Sequence, residues 1–296
     1  MTIAAGFCVK DGILICADTE HGAAGVSIIH ESKIILTPDM KTGKAMFSYS
    51  GNTQLARAAI QNCIDRIYYA KKQSIVSPAQ MANVIGDCVN ESYRTHVSQA
   101  PDPSSDSVYQ LIFATWCPNC RPMLFTTWHG AKFHFDRYEF IGSGFHIGQF
   151  IVGPLFRNNM DVSDAHAIAS YAVARAKQAA EGVGGLTNTS ILRNDGTFEH
   201  LSWVVGKQSE DVIAWVDDSF RKLFWSLISA PDDEFGKAID SFHVAMRHAR
   251  DIGNYSDERR ANPRPAFFSF GSLNPSTLSV LGPAIYDPSS PLPSQE

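Results

Sequence analysis

Blocks of two different hydrophobic periods, laid down in a fixed order, restrict the fold of this chain more than any other feature. The first fifty residues read as short strands, IAAGFCV (3–9), ILICAD (13–18), KIILTPD (33–39) and KAMFSYSG (44–51), with turns at Lys10-Asp11-Gly12 and near Lys41-Thr42-Gly43. From Asn52 the apolar positions Leu55, Ala56, Ala59, Ile60, Cys63, Ile64 and Ile67 recur at three- and four-residue intervals, which predicts a helix to about Lys72. Ser77-Pro78 opens a second helix, with Met81, Val84, Ile85, Cys88 and Val89 on one face. The segment 101–107 is a loop. Strand character returns in VYQLIFATW (108–116), RPMLFTTWHG (121–130) and AKFHFDRYEFIG (131–142).

Two more helices follow, one opening at Gly144 and one capped by Ser163 with Asp164 in its first turn. TNTSILR (187–193) and FEHLSWVV (198–205) then form a hairpin around Asn194-Asp195-Gly196. The order is strands, two helices, strands, two helices, hairpin. Segregated strands and paired helices imply an α+β architecture, and two antiparallel sheets stacked between two helix layers would bury both faces of each sheet. A helix from Ser209, striped by Val212, Ile213, Val216, Phe220, Leu223, Phe224 and Leu227, is expected to pack on that core, followed by another around Phe235 to Arg250. The expected domains are a core over 1–206, helices over 207–253, and a Pro- and Ser-rich arm over 254–296, where regular elements are disfavoured.

Thr2 follows Met1, and removal of that methionine would expose a threonine whose own α-amine can serve as its base. A threonine hydroxyl needs such help, and the α-amine reference pKa of about 7.7–8.0 suits it to proton transfer near neutrality. Asp18 ends the second strand segment, Lys33 precedes an apolar strand, and Gly51 stands at a strand-to-helix junction. A family resemblance that these positions carry is what singles them out, and the physics is coherent with it: a buried Lys33 ammonium would favour the alkoxide-like form of Thr2, Asp18 would keep that lysine charged and oriented, and the Gly51 amide would stabilise an oxyanion.

These residues sit in segments, TIAAGFCVKDGILICADTE, HESKIILTPD and SYSGNTQLARAAI, that resemble the opening of proteasome β-subunits and of the peptidase of the bacterial two-component heat-shock protease. The resemblance implies the N-terminal-nucleophile hydrolase fold, a four-layer αββα sandwich, here with a C-terminal helical and Pro-rich extension. It implies catalysis by Thr2, Asp18, Lys33 and Gly51 with no cofactor. FIGSGFHIGQF is similar to the family segment in which Ser143 would be the serine near the threonine amine. Tyr49 falls where relatives line the substrate side-chain pocket, and its bulk implies a preference for small side chains. Implied partners are a peptide or protein substrate and further copies of the chain in stacked rings; whether an ATPase delivers substrates stays open. The family aspartate and serine before the Gly184-Gly185 pair are replaced by Ala180 and Val183, with Glu181 one residue away from the first. Three functions stay open: a threonine peptidase, a proteasome-like scaffold without catalysis, and a non-peptide amidase.

Composition narrows the partners. A formal charge of -5 offers no basic footprint for nucleic acid. No apolar run approaches the roughly 20 residues that span a bilayer, and no basic segment precedes the first apolar stretch, so a cytoplasmic location is expected. Six cysteines in a chain this long fit reduced thiols rather than a disulfide framework. Trp116-Cys117-Pro118-Asn119-Cys120 matches a redox motif in spacing but sits at a hairpin tip rather than a helix start. A zinc site from Cys117, Cys120, His129 and His134 has usable ligand types at a short interval. Both are set aside, and no metal is expected.

Overall fold

The computed structural model describes residues 2–21, 29–38, 43–70, 75–98, 108–201, 203–229 and 231–261. The strands are β1 (Ile3–Val9), β2 (Gly12–Asp18), β3 (Glu20–His21), β4 (Ile29–His30), β5 (Ile35–Leu36), β6 (Lys44–Gly51), β7 (Tyr109–Trp116), β8 (Met123–Trp128), β9 (Ala131–Phe135), β10 (Tyr138–Gly142), β11 (Thr187–Arg193) and β12 (Phe198–Leu201). The helices are α1 (Thr53–Tyr69), α2 (Pro78–His96), α3 (Phe145–Leu155), α4 (Val162–Ala179), α5 (Trp203–Ser229) and α6 (Asp232–Ala261).

The fold is α+β, with two five-stranded antiparallel sheets, β10-β1-β2-β11-β12 and β5-β6-β7-β8-β9. Three apolar clusters hold it. One joins α1 and α2 to the second sheet through Ile60, Cys63, Met81, Ile85, Phe47 and Phe113. Another joins α3 and α4 to the first sheet through Val152, Ala169, Val173, Ile3, Phe7 and Leu14. The third draws on both sheets, with Ala4, Ile15, Ala17, Met46, Ile112 and Leu124. The strand alternation that the sequence carries thus divides each sheet between a helix-facing and a sheet-facing set.

Local chemistry explains most boundaries. Asn52 caps α1 by accepting from the Leu55 amide at 3.0 Å, and Ser77 caps α2 by accepting from the Gln80 amide at 3.3 Å. Helix α4 is capped by Asp161, which accepts from the Asp164 amide at 2.9 Å, so the cap expected at Ser163 lies two residues earlier. The run 131–142, expected as one strand, breaks at Asp136-Arg137. Its halves belong to different sheets, β9 beside β8 and β10 beside β1. The segment KIILTPD forms only the two-residue β5. FEHLSWVV is strand only to Leu201, and α5 begins at Trp203 rather than Ser209.

Helix α5 meets α4 and β11. Lys177 of α4 is 2.6 Å from Glu210, and Arg175 is 3.0 Å from Asp217. Farther along α5 the expected core stripe is open to solvent. Phe220, Phe224 and Leu227 are exposed, and among the described residues Phe220 has tilted ring neighbours in Phe224 and in Phe242 of α6. Helix α6 runs to Ala261, so the arm expected from residue 254 does not begin within it. The loop expected at 101–107, the turn near 41–42 and residues 262–296 lie outside the described residues. Among the described residues no helix is long and apolar enough to cross a membrane.

Candidate active site

The antiparallel pairing of β1 with β2 sets Ala4 opposite Ala17, which brings the start of β1 and the end of β2 to one edge. Thr187, at the start of β11, pairs with Asp18, and Gly142, at the end of β10, pairs with Ile3. Four strand ends therefore converge on Thr2. The β1–β2 hairpin fixes the first of these approaches, and long-range strand pairing with β10 and β11 brings the other two.

Lys33 reaches the same place from the irregular segment before β5. Its Nζ lies 2.5 Å from Thr2 Oγ1 and 2.9 Å from Asp18 Oδ1. The three residues are 4%, 1% and 0% exposed for Thr2, Lys33 and Asp18, so this ion pair is out of water. Asp18 is anchored further by the Ile3 amide on Oδ1 at 3.0 Å and the Gly184 amide on Oδ2 at 3.2 Å. Burial lowers the Lys33 pKa from its ordinary value, and the Asp18 carboxylate opposes that shift. A lysine held this way donates to the threonine oxygen while it is charged.

Ser143 donates to the Thr2 carbonyl oxygen at 3.3 Å. The contact described for it is thus with the carbonyl side of Thr2. Gly142 has φ +92°, and a Cβ there would stand 2.2 Å from the Thr2 carbonyl oxygen and 3.1 Å from Ser50 Cβ. Only glycine permits that approach. Gly51 ends β6 with φ +85°, exposed and next to Ser50, immediately before the Asn52 cap.

Tyr49 is 1% exposed and packs within the α1 and α2 cluster, with the His21 ring 6.2 Å away. Most of its phenol is core. Ala180 and Val183 are likewise apolar members of the cluster that holds Ile3 and Ala176.

Sequence reasoning overlooked Gln110. Its Oε1 accepts from the Gly142 amide and from Ser50 Oγ, each at 3.3 Å, linking the two sheets beside Thr2. A single amide in the otherwise apolar YQLIFAT run was the available signal. It also missed the role of the Gly184 amide, because nothing in a Gly-Gly pair announces its partner.

The cysteine pair at the β7–β8 turn forms no helix start. The Cys120 amide donates to the Cys117 carbonyl at 3.1 Å, and burial pushes the Cys117 thiol up to about 11. Among the described residues no cluster of three or more His, Cys, Asp or Glu side chains could hold a metal ion.

No family model matches the sequence, and no curated protein does. Solved structures do. Anbu from Hyphomicrobium sp. strain MC1 is 19% identical with a TM-score of 0.62, over 78% of this chain and 99% of that one. Anbu from Yersinia bercovieri, described as an ancestral β-subunit, is 14% identical with a TM-score of 0.63, over 77% and 98%. Anbu from Pseudomonas aeruginosa, solved as a helical assembly, is 12% identical with a TM-score of 0.64, over 78% and 99%. At these identities the likeness establishes the fold alone. It also corrects the resemblance drawn from the short motifs. No family model supports proteasome β-subunits or the heat-shock peptidase, and these structural likenesses are to Anbu.

Proposed function

We propose that the chain hydrolyses amide bonds, with Thr2 as nucleophile after removal of Met1. The buried contact of Lys33 Nζ with Thr2 Oγ1 and Asp18 supports this most directly, because a desolvated ammonium is an expensive feature for a fold that makes no use of it. In the reading proposed, the Thr2 α-amine takes the hydroxyl proton as Oγ1 bonds to the substrate carbonyl carbon. Lys33 lowers the cost of the alkoxide-like oxygen, and the Gly51 amide donates to the oxyanion. The amine then protonates the departing nitrogen, and the C–N bond breaks to leave an ester on Thr2. Water, deprotonated by the same amine, cleaves that ester and restores the hydroxyl. Ser143 orients Thr2 through its carbonyl.

The natural amide is a peptide in the leading form of this reading; the small-side-chain preference expected from Tyr49 is not carried over, because its ring is packed in the α1 and α2 cluster. A cytoplasmic setting is supported by the six free thiols. The αββα stacking of four layers is supported by the three apolar clusters. Self-association is supported by the helical assembly of the Pseudomonas aeruginosa protein. An amine-and-hydroxyl-directed electrophile such as an epoxyketone tests the core of the proposal. Intact mass should show one adduct on the wild type and none on Thr2→Ala; retained Met1 or equal labelling of both would defeat it.

A second reading, a scaffold without turnover, is favoured by the apolar surroundings of Ala180 and Val183. Lys33-dependent hydrolysis of a peptide library would remove it.

A further inference from the structure

Gln110 of β7 stands directly opposite Ser50 of β6 in the second sheet, whereas Gly142 ends β10 in the first. The Gln110 side chain is half-buried, and its Oε1 accepts from Ser50 Oγ and from the Gly142 amide, each at 3.3 Å. A backbone N–H can only donate, so the bond to Gly142 fixes which end of the side-chain amide points that way. The two groups it joins belong to different halves of the candidate site. On one side, three consecutive residues cradle the Thr2 carbonyl. A Cβ on Gly142 would stand 2.2 Å from that oxygen, the Ser143 hydroxyl donates to it at 3.3 Å, and the Gly144 amide donates to it at 3.5 Å. On the other side, Ser50 immediately precedes Gly51, whose amide is the oxyanion donor in the reading proposed above.

We propose that Gln110 is a positioning residue, the clamp that sets the spacing between the Thr2 hydroxyl and the Gly51 amide. The inference rests on the hydrolysis reading and adds to it a residue that acts through Gly142 and Ser50. Attack requires the nucleophile and the oxyanion donor to be in place together, and a misplacement of about 1 Å can cost about 10²-fold in rate. The β1–β10 ladder fixes the start of β1 within one sheet, and the β6–β7 ladder fixes Gly51 within the other. Between the sheets lie apolar residues such as Ala4, Met46 and Ile112, and apolar burial has no preferred direction. The bond from the Gly142 amide to Gln110 crosses from one sheet to the other where a Cβ on Gly142 would meet Ser50 Cβ at 3.1 Å, and it supplies that direction.

The requirement is an acceptor at the reach of Gln110. A glutamate carboxylate in the same place accepts from both donors, asparagine is one methylene too short, and leucine accepts from neither. A clamp therefore predicts an order among substitutions that side-chain volume alone does not.

The full-length wild type, Gln110→Leu, Gln110→Asn and Gln110→Glu are compared by the maximal rate and half-saturating concentration of Thr2 labelling by an epoxyketone, followed by intact mass. The maximal rate should fall about 10- to 100-fold in Gln110→Leu and Gln110→Asn with the half-saturating concentration changed less than about threefold, and Gln110→Glu should recover to within about threefold of wild type. A wild-type maximal rate in either Gln110→Leu or Gln110→Asn, or a Gln110→Glu protein as slow as Gln110→Leu while both melt alike, would overturn the assignment. Gln110→Asn keeps a polar side chain and carries the test alone if Gln110→Leu does not fold. A wild type that takes no adduct defeats the hydrolysis reading instead, and the clamp is then read from hydrogen exchange of the Gly142 amide. That exchange should quicken about tenfold in Gln110→Leu and return toward wild type in Gln110→Glu. Equal exchange in all of these proteins would overturn the clamp as well.

Discussion

The Asp18 carboxylate and the Lys33 ammonium lie 2.9 Å apart with no water-exposed surface to speak of, and the carboxylate is shared with two backbone amides, those of Ile3 and Gly184. A pair buried this deeply cannot be broken cheaply. Removing one partner of a buried ion pair typically costs about 3–5 kcal/mol. Lys33→Ala should therefore lower the unfolding free energy by an amount near that range, read from urea midpoints at unchanged slope. A loss below about 1 kcal/mol, the scale of an exposed pair, would mean that the pair is solvated in solution.

If Thr2 is a nucleophile, the same substitution should reduce amide hydrolysis by about 10²–10⁴-fold, the usual span for a positioned acid–base group. Thr2→Ser should keep measurable activity, since a primary hydroxyl can occupy the same place. Equal rates for wild type and Lys33→Met at saturating substrate would separate Lys33 from the chemistry.

The pH dependence has a definite sign. Burial lowers the Lys33 pKa below the ordinary 10.5. A step that needs the ammonium should fail as pH rises through a value under 10.5, before a solvated lysine would lose its proton. Stability runs the other way. Between the folded and unfolded values the unfolded chain holds more protons, so unfolding free energy from this group rises with pH toward 10.5 and is lost as pH falls through the folded value. Lys33→Met should flatten that alkaline rise in a pH series of denaturant melts.

Gly142→Ala should be disproportionately damaging for so small a change. Its Cβ would stand 2.2 Å from the Thr2 carbonyl oxygen in a backbone conformation that side chains avoid. Strain of this kind costs about 1–3 kcal/mol, and relief requires Thr2 itself to move. Electrophile labelling of Thr2 should drop more than thermal stability does.

Glu210→Ala should loosen α5. Its carboxylate takes the Lys177 ammonium at 2.6 Å, with both side chains largely buried and Thr187 Oγ1 in the same network. The expected destabilisation is on the order of 3 kcal/mol, since Lys177 would keep a buried charge without its carboxylate. Hydrogen exchange should speed up in α5 first.

The sequence was most legible where a local rule governed the outcome, although the α4 cap expected at Ser163 falls to Asp161. The caps Asn52 and Ser77 and the Asn194-Asp195-Gly196 turn required only neighbours in the chain, and the structure has them. The meeting of Thr2 with Asp18 was readable because a hairpin turn at Gly12 sets the register of both ends. The break at Asp136-Arg137 was not, since β9 and β10 share one strand-like pattern and separate only because different sheets claim them. Gln110 escaped for the same reason: its partners, Ser50 and Gly142, lie on strands that become its neighbours only in three dimensions. The exposed end of the α5 stripe has a related cause. An amphipathic pattern tells which face is apolar, and it cannot tell whether the chain supplies enough surface to cover that face along its whole length.

The bond from the Gly184 amide to Asp18 spans 166 positions of the chain. On a ribosome, Thr2 and Asp18 are made well before the amide that anchors this carboxylate. For most of its synthesis the polypeptide holds its candidate nucleophile without the surroundings that would activate it. The local β1–β2 hairpin alone therefore cannot finish the surroundings of Asp18, which wait on a segment 166 positions downstream.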